Sequence, residues 1–232
     1  FIFFLIGEIF KCFVMYFIWK AVFNSSQNQN FMGFTMEDMT VYVFISFLTG
    51  YLSFSDGAFA LGEEIVDGSV SMRMIKPCSF DMCFLFQELG NKVINYSIMF
   101  VPIVLGVEIY RFVITGTVQF NIVSFVLFFV SLQLAYLINF YFNVCYGFLA
   151  FFLKNLWGTN LIKDVIVGFL SGSTIPLAFM PDVLQTVLYM NMYSPFQIAF
   201  SMLLQAFWLA VFVLVSKMIW HFAMKHLCIQ GG

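Results

Sequence analysis

Between Phe112 and Leu153 the chain carries no charged residue. A run that long cannot be laid over the surface of a water-soluble globule, which needs charge on all of its faces. It suits helices in hydrocarbon, where about 20 apolar residues cross the core. The other residues agree. Hydrophobic types make up 62% of the 232 residues, charged types 9%, and the mean hydropathy is +0.96. A soluble domain is roughly 45–50% apolar and about 25% charged. Ten Lys+Arg against twelve Asp+Glu leave a net charge of −2, so there is no basic face for phosphates. Soluble enzymes, disordered chains and nucleic-acid binders are excluded. What remains is an all-α polytopic membrane protein, a single transmembrane domain over 1–232. The length leaves room for about five to seven spans.

Six apolar stretches read as spans: about 1–23, 39–60, 93–110, 120–153, 165–180 and 203–225. In the first, Glu8 and Lys11 stand three apart, share a helix face and can pair. A lone charge at mid-bilayer costs roughly 2.5–3.5 kcal/mol, and pairing offsets part of that. The fourth would reach roughly 51 Å at about 1.5 Å per residue, against a core of ~30 Å, so it is expected to tilt and project. Gln133, Asn139 and Asn143 stud it. Such amides either bond neighbouring helices, for about 0.6 kcal/mol on average, or line a translocation path. The fifth is broken by Gly168, Ser171-Gly172-Ser173 and Pro176. Residues 181–201 are too polar and broken for a clean span, and suit short interfacial or re-entrant helices.

The connection 61–92 differs from its surroundings. It holds five acidic and three basic residues, over a third of the chain's charges. Glu63, Glu64 and Asp67 precede Gly68. Arg73 and Lys76 precede Pro77. Ser79 reads as the N-cap of a helix through Leu89, with Gly90 as its stop. With six spans both termini lie on one side. If that side is the cytoplasm, Arg73, Lys76, Lys92, Lys154, Lys163, Lys217 and Lys225 are cytoplasmic or interfacial, against Lys20 and Arg111 outside. That seven-to-two bias fixes the orientation.

Catalytic signatures are missing. No GxxxxGK[ST] phosphate loop, GxSxG or HExxH occurs, and these are the patterns that place a nucleophile, a metal or a phosphate cradle. His221 and His226 are five apart and diverge on a helix. Cysteines at 12, 78, 83, 145 and 228 form no CxxC pair, and read as free thiols. An ion-driven secondary transporter would show inverted repeats and buried mid-span carboxylates. No repeat is visible, and Glu8 is the single carboxylate well inside a span. A non-transporting membrane partner subunit stays open as a further alternative.

The run GEEIVDGSVSMRMIKPCSF resembles the cytoplasmic segment of permease subunits of type-2 ABC exporters, in the six-span bacterial branch without a fused ATPase. Other pieces agree in order: Phe17 to Phe23, Phe34 to Met39, Gly147 to Phe152 with Asn155 to Gly158, Ser171-Gly172 through Pro176 to Pro181, and Gln230-Gly231-Gly232. The resemblance implies the type-2 exporter fold: six spans, a cytoplasmic coupling helix in 61–92, and short re-entrant outer helices before the last span. It implies an ATPase-coupling role for Glu64, Asp67, Gly68, Ser69, Arg73, Lys76, Pro77 and Ser79. It also implies two copies of a separate ATPase carrying ATP and Mg, a second permease subunit (the same or homologous), and residence in the cell membrane, a bacterial inner membrane. No cofactor is expected in this chain. The family's amphipathic elbow helix would lie ahead of Phe1. Its outer segment is longer than Phe196–Gln205, which suggests residues missing near Ser201–Leu204. The substrate is not written in the sequence, although 34 Phe residues suit an apolar or amphipathic cargo.

Overall fold

The computed structural model describes residues 2–25, 33–74, 80–116, 120–153, 156–173, 175–176, 179 and 195–226, which are helical and contain no strand. In chain order the helices are α1 (Ile2–Ser25), α2 (Met36–Ser53), α3 (Gly57–Val66), α4 (Val70–Met74), α5 (Phe80–Asn95), α6 (Val101–Thr115), α7 (Ile122–Gly147), α8 (Trp157–Leu170) and α9 (Pro195–His226). A π-turn, Tyr96–Phe100, joins α5 to α6, and a 3-10 turn, Phe148–Phe151, ends α7. Among the described residues four stretches are long and apolar enough to cross a membrane: Met36–Val66, Asp81–Thr115, Ile122–Phe151 and Phe196–Ala223.

Several boundaries differ from the sequence expectation, for identifiable reasons. Gly90 does not stop its helix, because α5 runs through it to Asn95. One interior glycine costs only about 1 kcal/mol, and the burial of Phe84, Leu85 and Lys92 on the same helix outweighs it. The π-turn lies just ahead of Pro102, whose missing N–H and ring prevent a regular α-helical turn there. Instead of a helix over 165–180, α8 spans Trp157–Leu170 and stops before Gly172, which takes φ +78°. The last helix starts at Pro195, not near 203, and its early turns contain residues expected in the outer segment. It is continuous through Ser201–Leu204, with the Ser201 hydroxyl donating to the Gln197 carbonyl at 2.9 Å. The 181–194 part of the outer segment lies outside the described residues. Cys83 is disulfide-bonded, contrary to the expectation of free thiols, whereas Cys12 and Cys145 are free.

The chain divides into two compact units. The first comprises Phe1–Tyr51, Asn95–Asn121 and Gly168–Tyr189. In it α2 opens with a reciprocal cap. The Thr35 hydroxyl and N–H donate to the Asp38 carboxylate at 2.7 and 3.2 Å, and the Asp38 N–H donates back to Thr35 Oγ1 at 3.2 Å. Cys12, Phe23, Met39 and Val43 form its buried core. Trp19 stacks on Phe179 at 5.3 Å, and the Tyr42 hydroxyl donates to the Gly172 carbonyl. The expected Glu8–Lys11 pair is present at 2.6 Å. An apolar cavity of about 400 Å³ lies among Cys12, Phe44, Phe47, Met99, Pro102 and Val107.

The second unit comprises Leu52–Ile94, Ile122–Val167 and Met190–Gly232. Leu132, Tyr136, Phe140, Val144 and Phe148 recur every four residues along α7 and its 3-10 end. That spacing lines one helical face, and all five are buried. The last four of them form one buried cluster with Leu61 of α3, Val70 of α4, and Phe84 and Leu85 of α5. The α3–α7 approach is close: a Cβ on Gly147 would sit 3.1 Å from the Ala58 carbonyl.

Candidate coupling site

The charged connection folds as α3, a tight turn and α4. Asp67 continues the helical bonding, its N–H donating to the Glu63 carbonyl at 2.9 Å. Gly68 then takes φ +79°, and the chain turns. A Cβ there would meet nothing within 4 Å, so glycine is required for its backbone angle and not for space. The Asp67 carboxylate accepts the Ser69 N–H at 2.8 Å, and the Ser71 hydroxyl donates to the Gly68 carbonyl at 2.8 Å. Asp and Ser side chains closing on backbone two or three residues away are the local chemistry of such turns. The bonds from Ser69 hold the Asp67 carboxyl below the usual carboxylate range. Asp67, Gly68 and Ser69 are exposed, and Val70 is anchored in the core.

Sequence reasoning named eight residues here, and the structure brings the first of them together. Glu64 lies on the last turn of α3, Asp67, Gly68 and Ser69 make the turn, and Arg73 lies on α4. Lys76, Pro77 and Ser79 lie outside the described residues. A cleft of about 570 Å³ flanks the turn, lined by Phe59, Gly62, Glu63, Val66, Asp67, Leu156 and Trp157. Trp157 and Val66 are both more than half exposed. Val66 stands beside the turn by sequence, whereas Leu156 and Trp157 reach it through tertiary packing that no local pattern in the sequence announces.

At the other end of α3 is a break whose distant partners the sequence did not suggest. Residues 54–56 interrupt helix between α2 and α3, within a stretch apolar enough to cross a membrane. Such a break leaves backbone groups without helical partners, and in lipid each must be satisfied by protein. Here each partner comes from α5 or α7, or from the break itself. Lys92, only 6% exposed, donates to the Leu52 carbonyl at 2.9 Å and the Phe54 carbonyl at 2.6 Å. Asn139 Nδ2 donates to the Ser53 carbonyl between them at 2.8 Å. The Glu88 carboxylate accepts the Ser55 hydroxyl at 3.0 Å and the Asp56 N–H. The Gly57 N–H donates to Ser55 Oγ at 3.3 Å. Lys92 Nζ also lies 4.5 Å from the centroid of the buried Tyr136 ring. A desolvated cation–π contact of this kind contributes about 2 kcal/mol.

The amides read as candidates for a translocation path are also placed. Asn139 serves the break, and Asn143 Nδ2 donates to the Asn139 carbonyl and to its Oδ1, at 2.8 and 2.6 Å. Lys163 of α8 donates to Asn143 Oδ1, pairs with Asp164 at 3.1 Å and lies 5.0 Å from the Tyr146 centroid. Gln133 is half-buried, one turn and a half earlier on α7. Lys92 and Lys163, counted as interfacial by charge alone, are both drawn inside this unit. Among the described residues no group of His, Cys, Asp and Glu could hold a metal ion.

Comparison with known proteins gives one family. A model described as ABC-2 family transporter protein matches residues 9–231. No curated protein and no solved structure matches the chain. With nearly the whole length covered, and with helices apolar enough for a membrane, the chain belongs to the ABC-2 family of transporter proteins and is a multi-pass membrane permease.

Proposed function

We propose that the chain is the permease subunit of an ATP-driven exporter, and that the 61–92 element couples it to a separate ATPase. The observation that carries this reading is the α3–α4 turn. It is exposed and charged at Asp67, yet held by its own side-chain bonds on a helix packed against α7. A projecting element of fixed shape can pass on rigid-body motion, which a loose loop cannot. In this reading six spans place both termini and the turn in the cytoplasm. Four of the spans are the apolar stretches given above. The 24 residues of α1 reach about 36 Å and could supply a fifth. The 14 residues of α8 reach only about 21 Å, so a sixth span needs the chain beyond Leu170. Two permeases, identical or homologous, would meet two ATPase copies that carry ATP and Mg, in the cell membrane.

The test is reconstitution in vesicles with an ABC ATPase subunit. The chain alone should turn over no ATP. The pair should bind and show turnover that depends on the permease. A cysteine placed at Ser69 should react with a membrane-impermeant maleimide only after cells are permeabilised. Turnover by the lone chain, or labelling of Ser69 in intact cells, would contradict the reading.

A further inference from the structure

The break between α2 and α3 is held by residues distant in sequence. Three successive carbonyls, Leu52, Ser53 and Phe54, accept from only two side chains, Lys92 and Asn139. Lys92 is the centre of this arrangement. Its ammonium bridges the first and third carbonyls, with the Tyr136 ring beside it and Glu88 on the preceding turn of α5 holding Ser55 and the Asp56 N–H. A buried ammonium needs several acceptors to persist, and unwound carbonyls in an apolar span need donors. Each satisfies the other, so neither survives well alone. A plain helix through 54–56 would need none of these groups.

We infer that Lys92 is a positioning residue for transport. It locks the α2/α3 elbow, so that α3 and the turn at Asp67–Ser69 move with α5 and α7 as one body. The inference rests on the coupling reading above. Without Lys92 the elbow becomes a free joint, and a push on the turn is absorbed at 54–56 before it reaches the spans. Arginine in its place could still serve both carbonyls with separate N–H groups. Methionine matches the stem in length and offers no donor.

The experiment has two arms. In the first, amide hydrogen exchange is read on the purified chain in lipid nanodiscs, without any ATPase. Lys92→Met should speed exchange of the amides at 56–60 by at least about ten-fold while α7 and α9 keep their rates, and Lys92→Arg should restore most of the protection. In the second, an ABC ATPase subunit is added. The Lys92→Met chain should still bind it, with stimulation of ATP turnover reduced about ten-fold, and Lys92→Arg should recover stimulation. Unchanged exchange at 56–60, or acceleration spread evenly over all helices, overturns the elbow lock. Full stimulation despite a loosened elbow overturns its role in transport. If the wild-type chain binds no ATPase, the coupling reading fails, and the exchange arm still decides the lock by itself.

Discussion

The two ends of α3 are held by opposite means. At its C-terminal end the turn at Asp67–Ser69 is closed by bonds between residues two to four apart, and it is exposed. At its N-terminal end the break at 54–56 is closed by side chains 33 to 86 positions away, and Ser55 is buried. Water can replace any lost bond at the first. At the second Leu52, Ser55 and Lys92 are buried, so water has less access. Local sequence therefore dictates the turn, whereas tertiary packing dictates the break. The cost of damage should differ in the same direction.

The sharpest way to break the contrast is Asn139→Leu. It leaves the Ser53 carbonyl without its side-chain donor and removes one of the two acceptors of Asn143 Nδ2, which keeps the carbonyl of residue 139. An unsatisfied buried polar group costs about 1–3 kcal/mol, so unfolding in detergent should shift by that amount. A change below about 0.5 kcal/mol would mean that water or a neighbour reaches the break. At the turn, Gly68→Ala forces a Cβ into the left-handed region, for about 1–2 kcal/mol. Since nothing lies near that Cβ, the strain should be confined to the turn, and Gly68→Asn should cost less. Equal costs for the two would point to a contact, not an angle.

The smallest expected effect is on acidification. The folded Asp67 carboxyl is held below its ordinary range by the Ser69 bonds. Its contribution is thus present above the ordinary carboxylate pKa and is lost as pH falls through the lowered one. Ser69 amide exchange, corrected for intrinsic pH dependence, should rise only at strongly acid pH. The rise should move to no particular pH in Asp67→Asn, whose amide oxygen can still accept.

Much of the fold was legible because its cause is local or compositional. The uncharged run from Phe112 to Leu153 announced α7, and Glu8 and Lys11 announced their pair. The break at 54–56 was not, since nothing within Phe54-Ser55-Asp56 says that Lys92 and Asn139 will be there to receive it. The partners of Lys92 were not legible either. A lysine near a span end ordinarily extends to the interface, but here two carbonyls and a tyrosine ring hold it inside. Gly90 misled for a related reason, because a single glycine's propensity is small beside the burial of its neighbours on α5.

The central claim, that 61–92 meets an ATPase, is tested most directly by charge reversal and pull-down. Arg73 lies on α4, and Lys76 follows it in the sequence. Losing one partner of a buried charge pair costs about 2–5 kcal/mol, far more than losing a rim charge. Arg73→Glu combined with Lys76→Glu should therefore reduce capture of the ATPase subunit at least ten-fold, with membrane insertion unchanged. Arg111→Glu, at the far end of α6, should leave capture intact. Wild-type capture and ATP turnover by the Arg73→Glu, Lys76→Glu chain would contradict the coupling role of this element.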